Sequence, residues 1–332
     1  MKHKKLTLEP IYSAACMVAV VAAGLFTVLR VAMAPIANKA PQAYTFSLCI
    51  LLLFAAALVA YSALAKKEPV VVRGKCAYVS SAAAAVTGVA FAVFTVLSAL
   101  NWWLFGAMPY PDKAVPSKLD VVFLFALLIT GALAAVWFVL VGVRWFREGQ
   151  TVCMPSYLLA LTPVVWCWVR LIRYITSYVS LVGFFNNVHE VGTMVLETVF
   201  FLLLAGAISG VWKKPSRFFI AVSLCTGIFC TVSALSQTWF FIVQDAASFA
   251  SSALVIAPDF AVAFLAFATA FSQSVGTPVE EDTEEAPNDA VPLSGDETED
   301  GDGAEFLLSD EWFAVYDPED ENADEEDEDT DD

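Results

Sequence analysis

Five ionisable side chains lie within otherwise apolar segments of this sequence: Arg170, Arg173, Glu190, Glu197 and Asp259. A charge inside the hydrocarbon of a membrane is costly, so such residues usually face the protein interior and mark an ion path, a proton relay or a paired contact. The sequence therefore predicts an intramembrane polar network built from these five side chains.

The spacing of the arginines and glutamates favours ion pairing between two helices. Arg170 and Arg173 are three residues apart, and Glu190 and Glu197 are seven apart, so each pair occupies one face of its helix. A turn near Asn187 makes the two segments antiparallel, and an arginine can then meet a glutamate at similar depth. Pairing avoids the solvation cost that either charge carries alone in hydrocarbon.

The depth of the arginines depends on where their helix begins. A start near Val152 places Arg170 about 27 Å along the helix, close to the outer interface, where it can snorkel to lipid headgroups. A start at Pro163 places both arginines only about 10–15 Å along it, where they need partners. The first register is favoured, because the basic and aromatic residues of segment 144–150 anchor the inner end.

Asp259 has three interpretations, all of which stay open. Pro258 precedes it, and proline removes a backbone donor and loosens a helix. Asp259 is then the capped start of a half-helix, a coupling carboxylate of the kind that broken transporter helices carry, or a structural partner for an arginine.

The elements that must position these residues are membrane spans. Hydrophobic residues make up 58% of the 332 positions, which is more than a soluble domain contains. A transmembrane helix needs about 20 apolar residues. Eight segments meet this requirement, and they are residues 10–34, 43–65, 77–104, 119–143, 153–176, 190–211, 218–242 and 249–272. The predicted fold class is an all-α integral membrane protein, a bundle of about eight transmembrane helices within residues 1–277.

Small residues recur at every fourth position of the third span, at Ser80, Ala84, Gly88 and Ala92. Such rows allow helices to approach each other closely. We expect them to serve packing within this one chain.

Basic residues predict the orientation of the spans. An inside amino terminus places twelve Lys and Arg residues in cytoplasmic connections and three in outer loops, which agrees with the positive-inside rule. Eight spans then return the carboxyl terminus to the cytoplasm. The predicted location is the plasma membrane with both termini cytoplasmic, and Arg30 is expected at the outer interface.

Residues 278–332 form a second predicted domain with a different composition. They contain 26 acidic residues and no Lys or Arg, whereas residues 1–277 hold 18 basic residues against nine acids, a net charge of +9. A chain of this kind cannot bury enough apolar surface to fold and is predicted to be a disordered, cytoplasmic acidic tail. Segment 305–316 is either merely less polar or a docking helix for a cytoplasmic protein. Its candidate docking residues are Phe306, Leu307, Trp312, Phe313 and Tyr316.

Enzyme and metal-site signatures fail in this sequence. His189 and Glu190 begin like the zinc motif H-E-x-x-H, but Thr193 stands where the second histidine belongs. The seven cysteines lie in or beside apolar runs, where they act as small hydrophobes and predict no disulfide framework. We expect no catalytic residue, cofactor, metal ion or nucleic acid partner, and the lipid bilayer is the first expected partner.

Two functions remain open on the sequence. The first is a small-solute or ion permease in which Arg170, Glu197 and Asp259 line a path and the carboxylates exchange protons or cations. The alternative is a non-transporting membrane scaffold whose acidic tail recruits a cytoplasmic partner or folds back onto the basic membrane body. A path lined by these charges favours transport, and a closed bundle with paired charges favours the scaffold.

Overall fold

The computed structural model shows a helical membrane protein. It describes residues 9–37, 49–50, 53–57, 72, 75–105, 118–151, 157–177, 188–209, 217–244 and 249–275. Within these ranges, seven helices are long and apolar enough to cross a membrane. The chain is therefore an all-α, multi-pass membrane protein, as its composition predicts.

The seven helices match seven of the predicted spans. They are α1 (Glu9–Ala37), α2 (Lys75–Phe105), α3 (Lys118–Glu148), α4 (Thr162–Ser177), α5 (Val188–Ile208), α6 (Arg217–Gln244) and α7 (Phe249–Val275), and a short helical turn, Tyr157–Ala160, precedes α4. The predicted span 43–65 falls outside the described residues except at 49–50 and 53–57, which are helical. The predicted acidic tail, 278–332, and its docking segment also lie outside them.

Six of the helices, α2 to α7, pack in a closed ring around a common interior. Helix α2 packs on α3, α3 on α4, α4 on α5, α5 on α6, α6 on α7, and α7 returns to α2. Helix α1 packs against α6 and α7. Its other side presents exposed apolar side chains such as Val21, Leu25 and Val28, which is the composition expected of a lipid-facing helix.

Helices α2 and α3 meet along a seam of small residues. A Cβ atom at Gly88 would lie 2.8 Å from Cγ2 of Val139 and 3.0 Å from the carbonyl oxygen of Ala135. One at Gly142 would lie 3.0 Å from the carbonyl oxygen of Ser81, whose hydroxyl donates to the carbonyl of Gly142 at 2.7 Å. The close packing predicted from the small residues of this span is confirmed for α2.

The seam gives a direct stability prediction. Replacing Gly88 with alanine should lower the free energy of unfolding by about 1–3 kcal/mol, because the added methyl group meets backbone atoms that cannot move aside. Gly24 of α1 is the matched control, since nothing lies within 4 Å of a Cβ atom there. Both changes raise helix propensity equally, so thermal unfolding of the detergent-purified variants isolates the packing effect. Equal unfolding temperatures for the two variants would contradict the close approach.

Helix α7 runs without a break through Pro258. The interpretation of Asp259 as the start of a half-helix is therefore wrong. A membrane helix tolerates a proline where neighbouring helices cover the loosened backbone, and both Pro258 and Asp259 are buried in the bundle. Asp259 is thus a mid-helix residue whose carboxylate needs a partner in the protein.

Candidate functional site: a buried charge cluster

Three of the predicted residues meet inside the bundle, one from each of α4, α5 and α7. Arg170 donates to Asp259 twice, from Nη1 to Oδ1 at 2.6 Å and from Nη2 to Oδ2 at 3.0 Å. Nη1 also donates to Oε2 of Glu197 at 3.3 Å. The exposed fractions are 6% for Arg170, 0% for Glu197 and 1% for Asp259. We call these three residues the charge cluster.

Aromatic side chains of α4 and α2 pack against the guanidinium group of Arg170. Trp166 lies one helical turn before Arg170, and the Cζ atom of Arg170 is 5.3 Å from the centroid of its ring, a cation–π distance. Trp166 packs edge-on against Phe91 and Phe94 of α2, with centroid distances of 4.7 and 5.8 Å. The position of Arg170 is therefore fixed by packing as well as by charge.

Cys230 adds a fourth helix, α6, to the cluster. Its thiol donates to Oε1 of Glu197 at 3.3 Å, and the side chain is fully buried. The apolar run around this cysteine predicts only a small hydrophobe, and the contact with Glu197 was not predicted from the sequence. A signal was present, because Thr226, Cys230, Ser233 and Gln237 recur every three or four residues and so form a polar stripe on one face of α6.

The other two predicted residues are placed differently. Glu190 is half-buried in the first turn of α5 and accepts a hydrogen bond from Nε2 of Gln237 at 3.2 Å. Arg173 is buried one turn beyond Arg170, with an exposed fraction of 6%. Of the five predicted residues, the described ion pairs join Arg170 to Glu197 and Asp259.

The expectation that Arg170 snorkels to lipid headgroups is wrong. Helix α4 begins at Thr162, with Pro163 in the first turn, where a proline fits the free end of a helix. Arg170 lies about 18 Å along the apolar span Leu158–Thr176, and its side chain is buried in the bundle. It pairs with Glu197 and Asp259, two carboxylates that the sequence had already offered as partners for an arginine.

A second polar contact joins α1 to α5. Nη1 of Arg30 lies 2.8 Å from Nδ1 of His189, and the imidazole stacks on Phe229 of α6 at a centroid distance of 5.3 Å. Arg30, which was expected at the outer interface, therefore makes a specific contact within the protein. This contact lies near the amino-terminal end of α5, away from the charge cluster.

The chemistry available to the cluster follows from its charges and donors. Glu197 and Asp259 contact the same guanidinium nitrogen, so two carboxylates share one site. Two like charges in a buried site disfavour each other, and a proton or cation on one of them relieves the repulsion. Among the residues that the structure describes, no group of three or more His, Cys, Asp or Glu side chains could hold a metal ion.

Fold and site together define a polytopic helical membrane protein with a sealed Arg–Glu–Asp cluster contributed by separate helices. No protein-family model, no curated protein and no solved structure matches the chain. The functional argument therefore depends on the cluster itself.

Proposed function

We propose that this protein is a small-solute or ion permease in which the charge cluster is the coupling site. The observation that carries the proposal is the ratio of charges, two buried carboxylates on the one guanidinium of Arg170. A purely structural pair needs only one carboxylate. The second provides a place for a proton or cation whose arrival changes the pairing of Arg170.

The origin of the three side chains supports a role in movement. Each belongs to a different helix, so relative displacement of α4, α5 or α7 separates the charges. Loading of one carboxylate weakens its attraction to Arg170 and lowers the cost of that displacement. A change of charge in the cluster can in this way be linked to a change of helix packing, which is what coupled transport requires.

Flux measurements on the full-length protein in liposomes test the proposal. The probes are proton uptake, followed with an entrapped pH-sensitive dye under an imposed membrane potential, and uptake of radioactive Na⁺. Glu197→Gln and Asp259→Asn should each lower the initial rate about tenfold or more, since both remove a charge-exchanging group. Glu148→Gln is the control, because Glu148 lies in an exposed i,i+4 pair with Arg144 at 2.9 Å. Wild-type flux equal to that of empty liposomes, or unchanged flux in both cluster variants, would refute the permease.

We also propose that the protein lies in the plasma membrane, crosses it eight times and keeps both termini in the cytoplasm. The twelve-to-three distribution of Lys and Arg between the two sides supports this orientation. A tag after residue 332 should be protected from external protease in intact cells. Cleavage of that tag without cell lysis would reverse the orientation.

A non-transporting membrane scaffold is the second candidate, and the burial and pairing of the cluster charges favour it. Buried charges that pair with one another, as Arg170 and Asp259 do, also occur where no solute passes. In this function residues 278–332 recruit a cytoplasmic protein through Trp312 and Phe313. Capture by the wild-type tail that is lost in Trp312→Ala and retained in Leu293→Ala, a tail variant outside the segment, would support it. Capture independent of Trp312 would argue against it.

A further inference from the structure

We propose that the ion exchanged at the charge cluster is a proton, that Glu197 carries it, and that it arrives along a polar stripe between α5 and α6. The stripe consists of Glu190, Gln237, Ser233 and Cys230, and it starts at the end of the bundle where α5 begins. The inference rests on the proposed function for its physiological purpose, but the protonation of Glu197 can be measured without any solute.

Glu197 is distinguished from Asp259 by its contacts. Both oxygens of Asp259 accept from Arg170, at 2.6 and 3.0 Å, in a bidentate arrangement that gives strong compensation of its charge. Glu197 accepts from Nη1 only at 3.3 Å, and its second oxygen accepts from the weak donor of Cys230. Glu197 is therefore the carboxylate whose negative charge is less well balanced.

The contacts of the cluster favour a proton over a metal cation. A hard cation such as Ca²⁺ requires about six to eight oxygen ligands. Here each carboxylate oxygen already contacts a donor, the guanidinium of Arg170 occupies the space between the two acids, and the thiol of Cys230 is a soft ligand. A proton needs a single oxygen, and Oε1 of Glu197 supplies it.

The stripe connects Glu197 with a less buried part of the protein. Gln237 Nε2 lies 3.2 Å from Oε1 of Glu190 and 3.3 Å from the Ser233 hydroxyl. Ser233 is one helical turn from Cys230, about 4.5 Å along α6, and Cys230 contacts Glu197. Glu190 is half-buried, whereas Ser233 and Cys230 are 1% and 0% exposed. Polar side chains thus run from the amino-terminal end of α5 to the buried charge cluster.

The charged and titratable groups around Glu197 come from every helix that packs near it. Those next to it are Cys167 and Arg170 on α4, Cys230 on α6 and Asp259 on α7. Arg173 lies one turn beyond Arg170 on α4, and His189 and Glu190 lie about two turns before Glu197 on α5. The helical turn before α4 contributes no acidic or basic residue. Of the groups on this stripe, Glu190 is the only carboxylate, so it is the group that can take a proton from bulk water.

The transfer exchanges O–H bonds and the S–H bond of Cys230, and no group is oxidised or reduced. A hydronium ion in bulk water protonates Glu190, which then releases a proton to the relay and returns to its carboxylate form. Each relay group accepts one proton and releases its own, and the proton of the Cys230 thiol forms the O–H group of Glu197. The hydroxyl of Ser233 and the thiol of Cys230 both donate and accept, and a water molecule can bridge the turn between them. Gln237 positions Glu190 at the start of this route by donating a hydrogen bond to it.

Infrared difference spectra of the full chain in liposomes test the proposal. Above about pH 6 solvent-exposed carboxyl groups are ionised, so a protonated-carboxyl C=O band that disappears at higher pH reports a buried acid. We expect the band in wild-type protein and its loss in Glu197→Gln. In Asp259→Asn it should disappear at a lower pH than in wild type, because Glu197 is then the one cluster carboxylate that faces Arg170. After a pH jump the band should change at least about tenfold more slowly in Glu190→Gln and Gln237→Leu than in wild type. In Glu148→Gln it should change at the wild-type rate.

The outcomes separate this inference from the permease. Absence of the band in wild type, its survival in Glu197→Gln, or wild-type kinetics in both stripe variants would overturn the proton route. The stripe variants keep the test decisive even where a cluster variant fails to fold. A protein that shows the Glu197 band but no flux would remove the permease while leaving the proton site in place.

Discussion

The double variant Glu197→Gln, Asp259→Asn is expected to lose about 3–5 kcal/mol of unfolding free energy. It removes both carboxylates that pair with Arg170, a side chain only 6% exposed, and so leaves a buried positive charge uncompensated within the cluster. Glu197→Gln alone should change stability by at most about 1 kcal/mol, because the bidentate Arg170–Asp259 pair persists and a neutral amide still accepts hydrogen bonds.

Asp259→Asn alone should give an intermediate loss of about 1–3 kcal/mol, since Glu197 can replace Asp259 as the counter-charge. The double variant is then less stable than the sum of the single effects predicts. Chemical or thermal unfolding of the four detergent-purified proteins measures this coupling. Simple additivity would show that Glu197 does not substitute for Asp259, and it would remove the basis for a shared site.

Arg170→Met is the second change with a large expected effect, a loss of about 3–5 kcal/mol. Methionine can pack along Trp166, but the substitution leaves Glu197 and Asp259 facing each other in a buried site without a positive charge. Adding Glu197→Gln and Asp259→Asn to Arg170→Met should recover most of the loss, because an uncharged replacement of a buried triad is often neutral or stabilising.

The control for this series is Arg144→Met, at an ion pair whose side chains are 40% and 35% exposed. Exposed pairs contribute about 0–1 kcal/mol, so a small effect is expected there. The same unfolding measurement applies to all variants. A triple variant no more stable than Arg170→Met would mean that packing, and not charge, determines the role of Arg170.

Apolar length was sufficient to locate most helices but not all of their ends. The fourth span was expected at 119–143, whereas α3 extends over Lys118–Glu148. The additional turn carries the Arg144–Glu148 pair, which supports helix at i,i+4 spacing but lowers the hydropathy on which span prediction depends. In the same way, Pro258 was a reason to expect a break in α7 because covering helices cannot be seen in a local pattern.

The partner of Arg170 depended on tertiary structure. Helical spacing placed Glu197 within reach, because α4 and α5 are joined in sequence. Asp259 lies 89 positions from Arg170, and no local pattern indicates that the two helices share an interior. Cys230 and Gln237 were missed for a related reason: each becomes informative only when the polar face of α6 is known to meet α5.

The glycine seam constrains how the bundle can rearrange. Since α2 and α3 approach so closely at Gly88 and Gly142 that an added Cβ atom would lie 3.0 Å from the backbone of the other helix, we expect this pair to resist rotation and sliding. The pair α2–α3 is thus a fixed support, and Trp166 packs against Phe91 and Phe94 of α2 and so holds Arg170 beside it. We therefore expect an opening of the cluster to displace α5 and α6, which carry Glu197 and Cys230, since α7 is itself bonded to α2 through Ser80 and Ser272.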